Sequence, residues 1–256
     1  MTGMSRAPRT GQWIQPFGVT RAGGPRLVCF PHAGGSASFY HPLAVKTAGA
    51  EVLAVQYPGR QERRTEKPFT DLGEMADRIH AELASPAGSP LILFGHSMGA
   101  VLAYEVARRL ESDGARPLGV IVSGRRAPSV RLEETVHLRG DRALLAEVRQ
   151  LSGTAAALLD DEEVVQMILP ALRADYRAIE TYQHRPGAGL TCPITALTGD
   201  SDPRAALDHV RAWDRHTTGG FDLRTFPGGH FYLTTQWAEV AAAIHDAITA
   251  FSAPAR

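Results

Sequence analysis

A chain of 256 residues with 44% apolar content is long enough for one sizeable α/β domain and too apolar to be disordered as a whole. Its 27 basic residues balance its 27 acidic ones, so no charge excess marks it as a binder of nucleic acid or of an anionic membrane. The two cysteines, Cys29 inside an apolar run and Cys192 before Pro193, form no C-x-x-C pair; this argues against a metal site or a disulfide framework and suits a reducing cytoplasm.

In chain order, residues 1–10 read as a flexible tail with no apolar signal-peptide core, and residues 11–256 as a single domain. No run of 18 apolar residues exists, so no membrane span is expected. Short apolar runs follow: LVCF (27–30), VLAV (52–55), LILF (91–94), GVIVS (119–123), ITALT (194–198) and FDLRTF (221–226). Most are continuous rather than alternating, as in strands buried on both faces of a parallel sheet. Helical patterns lie between them. Asp71 is placed to cap a stripe of Leu72, Met75, Ala76, Ile79 and Leu83. A second helix should run from near Ser97 to before Gly114, with Glu105, Arg108 and Arg109 facing solvent. A third, from about Ala238 to Phe251, carries Val240, Ile244, Ile248 and Phe251. This alternation predicts an α/β fold with a mostly parallel central sheet and helices on both faces.

The rhythm breaks after Ser123. Residues 128–186 contain helical patterns at 141–151 and 161–182 and no strand signal, so they read as an inserted helical subdomain. Pro170 should kink or break the second pattern. The segment 151–161 reads as a joint between the two.

The strand LILF runs straight into G-H-S-M-G (95–99). A G-x-S-x-G string between strand and helix is a nucleophile elbow. The turn is so tight that side chains two residues either way would collide with the strand or the helix, and glycine removes them. Ser97 then sits at a helix N-terminus, where developing negative charge is favoured. A serine hydroxyl needs a base, and the base an orienting acid, in the chain order Ser, Asp or Glu, His. Of ten histidines, His230 follows the last strand run in the loop PGGH and is the candidate base. His209 and His216 fall on a predicted helix. After ITALT, both Asp200 and Asp202 fit the acid, and local pattern does not separate them. The loop CFPHAGGSA (29–37) should supply the second half of an oxyanion site, which makes the backbone amides of Ala33 and Met98 the candidate donors.

Seven ordered blocks resemble the type II thioesterases, the stand-alone α/β-hydrolases that serve polyketide and nonribosomal peptide synthases. They are FPHAGGSASFY (30–40), VQYPGRQERRTEKPF (55–69), LFGHSMGA (93–100), VSGRRAPS (122–129), LPALRADYRAIETY (169–182), ALTGDSDP (196–203) and FPGGHFYL (226–233). The likeness runs from about Gln12 to Phe251, and the core motifs show no departure from the family's pattern. It implies Ser97 as nucleophile, His230 as base and Asp202, rather than Asp200, as acid. It implies that the helical insert is a lid, that the substrate is an acyl group on the phosphopantetheine arm of an acyl or peptidyl carrier protein, and that aberrant or stalled acyl groups are removed. It implies no metal and no cofactor, and a monomer is expected. A generic carboxylesterase or lipase, an acyltransferase, and a catalytically dead binding protein are the rival readings.

Three stretches carry two readings each. Arg60, Arg63, Arg64 and Lys67 either face an acidic carrier protein or form a solvated loop with Glu62 and Glu66. Arg125 and Arg126 either shape the entrance to the site or pair with carboxylates of the insert. Met167, Ile168, Leu172 and Tyr176 either line an acyl chamber or pack as a plain helical stripe.

Overall fold

The computed structural model describes residues 13–17, 24–47, 49–83, 90–152 and 160–253. Seven strands form one sheet: β1 (Ile14–Phe17), β2 (Arg26–Phe30), β3 (Glu51–Val55), β4 (Leu91–His96), β5 (Gly119–Ser123), β6 (Ile194–Gly199) and β7 (Phe221–Phe226), in the spatial order β1-β3-β2-β4-β5-β6-β7. All neighbours are parallel except β1, which runs antiparallel along the edge of β3. The six strands expected from apolar runs are all present. β1 was not legible, because it is four residues long and contains Gln15 and Pro16. Proline is tolerated there because an edge strand has a side with no ladder to complete.

Among the described residues seven α-helices accompany the sheet: α1 (His41–Lys46), α2 (Leu72–Leu83), α3 (Met98–Ser112), α4 (Asp141–Ser152), α5 (Glu162–Glu180), α6 (Leu207–Arg211) and α7 (Trp237–Ser252). The sheet divides the core in two. Trp13, Val28, Leu93, Ile79 and Val106 are among the apolar residues of one face; Leu27, Ile92, Phe94, Ile244 and Val240 pack on the other. The continuous apolar strands follow from this covering of both faces. As expected, Asp71 caps α2, its carboxylate accepting from the Glu74 amide at 2.9 Å.

Two expectations are corrected. Glu105 does not face solvent: it is buried, accepts from Arg109 at 2.7 Å, Arg108 at 3.1 Å and the Tyr182 hydroxyl at 2.8 Å, and so joins α3 to the segment after α5. α3 is covered by the sheet, by α2 and, at Glu105, by Tyr182, so Glu105 is shut off from water while Arg108 and Arg109 keep partial exposure. Of the kink or break expected at Pro170, the break does not occur: α5 continues through it. Pro170 and Gln166, the residue whose carbonyl loses its partner, are both on the exposed side, where water satisfies that carbonyl. The helix is held from its other side by the buried Leu169, Leu172, Ala174, Tyr176 and Ile179 and is capped by Asp161. Part of the joint predicted at 151–161, and the tail at 1–10, lie outside the described residues.

Candidate active site

Every component stands at the C-terminal ends of the strands. Ser97 connects β4 to α3 with φ 55° and ψ −115°, a region that costs a non-glycine residue about 1–3 kcal/mol. The reason for its flanking glycines is visible: a Cβ on Gly95 would lie 2.0 Å from the Gly99 carbonyl oxygen, and a Cβ on Gly99 would lie 1.9 Å from the Phe30 carbonyl oxygen of β2. No side chain fits at either place, so the elbow can pack only with glycine at both.

The Ser97 Oγ is 2.9 Å from Nε2 of His230, and the His230 Nδ1 is 2.9 and 3.1 Å from the two Asp202 carboxylate oxygens. A carboxylate only accepts, so the imidazole proton sits on Nδ1 and Nε2 is left to accept from the serine hydroxyl. Both Asp202 and His230 are buried. Asp202 is itself fixed by the Arg204 amide at 2.8 Å. Asp200, which the sequence could not distinguish from it, is on the surface. It accepts from the Gly228 amide at 3.0 Å and the Ser201 hydroxyl at 2.7 Å, joining the loops after β6 and β7. Those hydrogen bonds hold its carboxyl below the usual range. The structure thus brings Asp202, and not Asp200, to His230.

Ala33 and Met98 line the same cavity as Ser97 and His230, about 120 Å³ in volume. Met98 opens α3, so its N–H belongs to the first turn, which has no intrahelical acceptor. Ala33 N–H donates to no group among the described residues. Beneath the elbow the buried His96 accepts or donates to Ser123 Oγ at 2.9 Å, and Ser123 meets the Tyr232 hydroxyl at 2.8 Å. Burial, and then the charges of His230 and His32, push the His96 imidazole well below its ordinary value. Burial, followed by the charges of His230 and Arg60, lowers His32 to about 3. Both rings are therefore neutral packing partners of the site.

The cavity roof comes from the segment between β5 and β6. Ile168, Leu172, Tyr176 and Ile179 of α5 line it, whereas Met167 is 57% exposed and takes no part. Both readings of Arg125 and Arg126 apply. Arg125 lines the cavity, and Arg126 makes a two-pronged pair with Glu134 of the insert at 2.5 and 3.2 Å. Glu134 also accepts from Arg204 at 2.6 Å, and Arg204 bonds Glu147 of α4. Burial would raise the Glu134 carboxyl, but the Arg126 hydrogen bonds and three nearby guanidinium charges outweigh it and hold it at about 2. The basic loop after β3 is not uniformly solvated: Arg60 and Arg63 are buried, and only Arg64 and Lys67 are exposed. Arg63 bonds Glu66 and lies over the Trp13 ring. Arg60 pairs with Asp175 on α5. Neither Glu134 nor Asp175 was singled out by the sequence. A faint signal existed for Asp175: a carboxylate on the same stripe as Leu172, Tyr176 and Ile179 points inward.

Comparisons with known proteins identify the family. A thioesterase-domain family model matches residues 25–248. The probable cadicidin biosynthesis thioesterase of Streptomyces griseus is 52% identical over 239 residues, which is 91% of this chain and 66% of that protein. The thioesterase PikA5 of Streptomyces venezuelae is 49% identical over 245 residues, 93% of this chain and 85% of that one. Among solved structures, the type II thioesterase BorB of the borrelidin cluster matches with TM-score 0.88 and 49% identity, over 95% of this chain and all of that chain. The type II thioesterase YbtT of the yersiniabactin pathway matches with TM-score 0.85 and 30% identity, over 94% of this chain and all of that chain. The chain belongs to the thioesterase family: it is a type II thioesterase, a hydrolase of thioesters built on the α/β-hydrolase fold.

Proposed function

We propose that Ser97, His230 and Asp202 hydrolyse acyl thioesters borne on the phosphopantetheine arm of an acyl or peptidyl carrier protein, removing aberrant or stalled acyl groups. One observation carries the mechanism: the unbroken hydrogen-bonded line from Asp202 through His230 to Ser97 opens into a cavity that also holds the Ala33 and Met98 amides. Ser97 Oγ bonds to the thioester carbonyl carbon while its proton passes to His230 Nε2, and the two amides stabilise the oxyanion. Collapse of that intermediate breaks the C–S bond, and His230 returns the proton to the departing sulfur. A thiolate leaves readily, since a free thiol has a pKa of about 8.5. Water, deprotonated by His230, then releases the acyl group as a free acid and restores Ser97. None of these steps calls for a metal or a soluble cofactor.

The assignment to carrier-bound substrates draws support from the relatives, whose names attach them to the borrelidin biosynthetic cluster and to the yersiniabactin NRPS/PKS pathway. It is also supported by a second cavity of about 730 Å³, which shares Arg125, Glu134, Ile179 and Glu180 with the first. In this reading the segment 128–186 is the lid and the enzyme works as a monomer in the cytoplasm. Among the described residues no helix is long and apolar enough to cross a membrane. Matched substrates test the proposal: one acyl group presented as carrier-bound thioester, free pantetheine thioester and oxygen ester. Faster release from the carrier, with mass spectrometry trapping the acyl group on Ser97, is expected. Preferential cleavage of the oxygen ester, or acyl transfer to an added alcohol or amine in place of free acid, would overturn the substrate assignment.

A further inference from the structure

The loop that holds Ala33 is tied through several of its backbone polar groups, most of them to side chains from other parts of the chain. The Tyr40 hydroxyl donates to Phe30 O at 2.8 Å and the Tyr57 hydroxyl to Pro31 O at 3.1 Å. Gly35 N donates to His32 O at 2.9 Å, and Ala37 N to the Gln56 side chain at 2.7 Å. Between these fixed points the two central ties come from one buried ion pair. Gly34 N donates to Asp175 Oδ2 at 2.7 Å, and Arg60 Nη1 donates to Gly35 O at 2.9 Å. Arg60 and Asp175 meet through two bonds of 2.9 Å, in the fork geometry that fixes orientation as well as distance. The Asp175 side chain is 1% exposed and that of Arg60 is 8%. The Arg60 guanidinium also lies over the Tyr57 ring at 5.0 Å, so the same tyrosine links the pair to Pro31.

Asp175 and Leu172 stand on the same face of α5, and both bear on Gly34. This glycine has φ +75°, and a Cβ on it would lie 2.7 Å from Leu172 Cδ1. The residue next to it, Ala33, is the one whose N–H lacks an acceptor among the described residues. We infer that Arg60 and Asp175 are positioning residues for the Ala33 amide, through which helix α5 of the insert sets the geometry of the oxyanion site. The inference rests on the reading of Ala33 as an oxyanion donor. An amide that must meet a developing charge at about 2.7–3.1 Å loses most of its effect when its loop can shift. The Gly34 N–H and the Gly35 carbonyl, the groups that follow Ala33 in the loop, are the ones this ion pair grips. An unanchored carboxylate and guanidinium would be costly to bury there, so the pair earns its place only by holding something.

The test uses the whole enzyme and a trifluoromethyl ketone analogue of its acyl-pantetheine substrate, which forms a tetrahedral adduct on the active serine. Three variants are compared: Asp175→Asn, Arg60→Lys, and the double variant Arg60→Met with Asp175→Leu. The double variant removes both buried charges together and so avoids stranding either one. In the wild type the ketone should bind at least about 100-fold more tightly than the KM of the matching thioester. In Asp175→Asn and the double variant, turnover per titrated Ser97 should fall about 10–100-fold, short of the loss expected from deleting a donor outright. Their KM should stay within about threefold, and the ketone's inhibition constant should rise by the same factor as kcat/KM falls. Arg60→Lys, which keeps the charge without the fork, should fall between these and the wild type. A merely structural pair would lower the fraction of titratable enzyme and leave turnover per site unchanged. Wild-type turnover and ketone affinity in the folded double variant and in Arg60→Lys would overturn the inference. A wild-type enzyme that binds the ketone no better than substrate would instead overturn the oxyanion reading itself.

Discussion

The floor and the roof of the cavity are built by different physics. The floor is the elbow between β4 and α3, where apolar strands and two glycines permit one backbone path, and Gly95 and Gly99 touch neighbouring backbone with no room for a methyl group. The roof is attached by buried charge: Arg60 to Asp175, and Arg125, Arg126 and Arg204 around Glu134. Steric exclusion fixes a shape once and has no second setting. An ion pair holds only while both partners are charged and in place. The floor therefore resists change until it fails outright, whereas the roof can be loosened one residue at a time.

The largest expected effect lies at the hydrogen-bonded line that meets the floor at Ser97. Asp202→Asn should lower kcat by about 10⁴-fold, because the imidazole loses the partner that sets its tautomer. Asp200→Asn, which touches only the turn between β6 and β7, should cost less than about tenfold. Steady-state rates for the two variants decide it, and equal losses would dissolve the distinction between them. Next comes the roof. Glu134→Gln leaves the two buried guanidinium groups of Arg125 and Arg126, and the part-buried one of Arg204, without their shared carboxylate and should destabilise the protein by about 3 kcal/mol, read as a shift in the denaturant midpoint. A shift below about 0.5 kcal/mol would show that the cluster is not what holds the roof.

Acid should separate the two regions further. His96 and His32 are neutral against the elbow, with His32 lowered to about 3. The unfolded chain takes up protons first, so their contribution is complete above about pH 6.5 and is lost as the pH falls from there toward 3. Glu134 has the opposite sign of charge and a depressed value of about 2. Its contribution is complete above about pH 4.5 and is lost only between there and 2. Hydrogen exchange across this range should show β4 and α3 weakening before α5; the reverse order would refute the assignment of those charges. The smallest effect concerns the surface. Reversing Arg64 and Lys67 together should slow carrier-borne substrate by about three- to tenfold and leave free pantetheine thioesters untouched, if that loop meets an acidic carrier. Arg63, being buried against Trp13 and Glu66, belongs to a stability experiment instead.

The same division explains what the sequence disclosed. Six strands, the capped α2, and the elbow at Ser97 were legible because short-range pattern specifies them. Hydrophobic runs, a cap and a glycine spacing are all read within a few residues. His230 was legible from its place after the last strand. Asp202 was not separable from Asp200, since both suit a turn and only the third dimension decides which faces an imidazole 28 residues away. Arg60 and Asp175 are 115 residues apart, and nothing local at either end names the other. Glu105 misled for the same reason: helical period places it outward, but the neighbours that cover it come from elsewhere in the chain.

The separation of these parts along the chain has a consequence during synthesis. An emerging polypeptide completed only as far as α3 already holds the elbow serine, yet has neither the helix whose carboxylate grips residue 34 nor the imidazole at position 230. Domains generally fold as units as translation proceeds. If Ser97 depends on His230 as proposed, a half-made copy is inert toward the thioesters around it, and hydrolysis begins only when the ribosome has delivered the final third of the molecule.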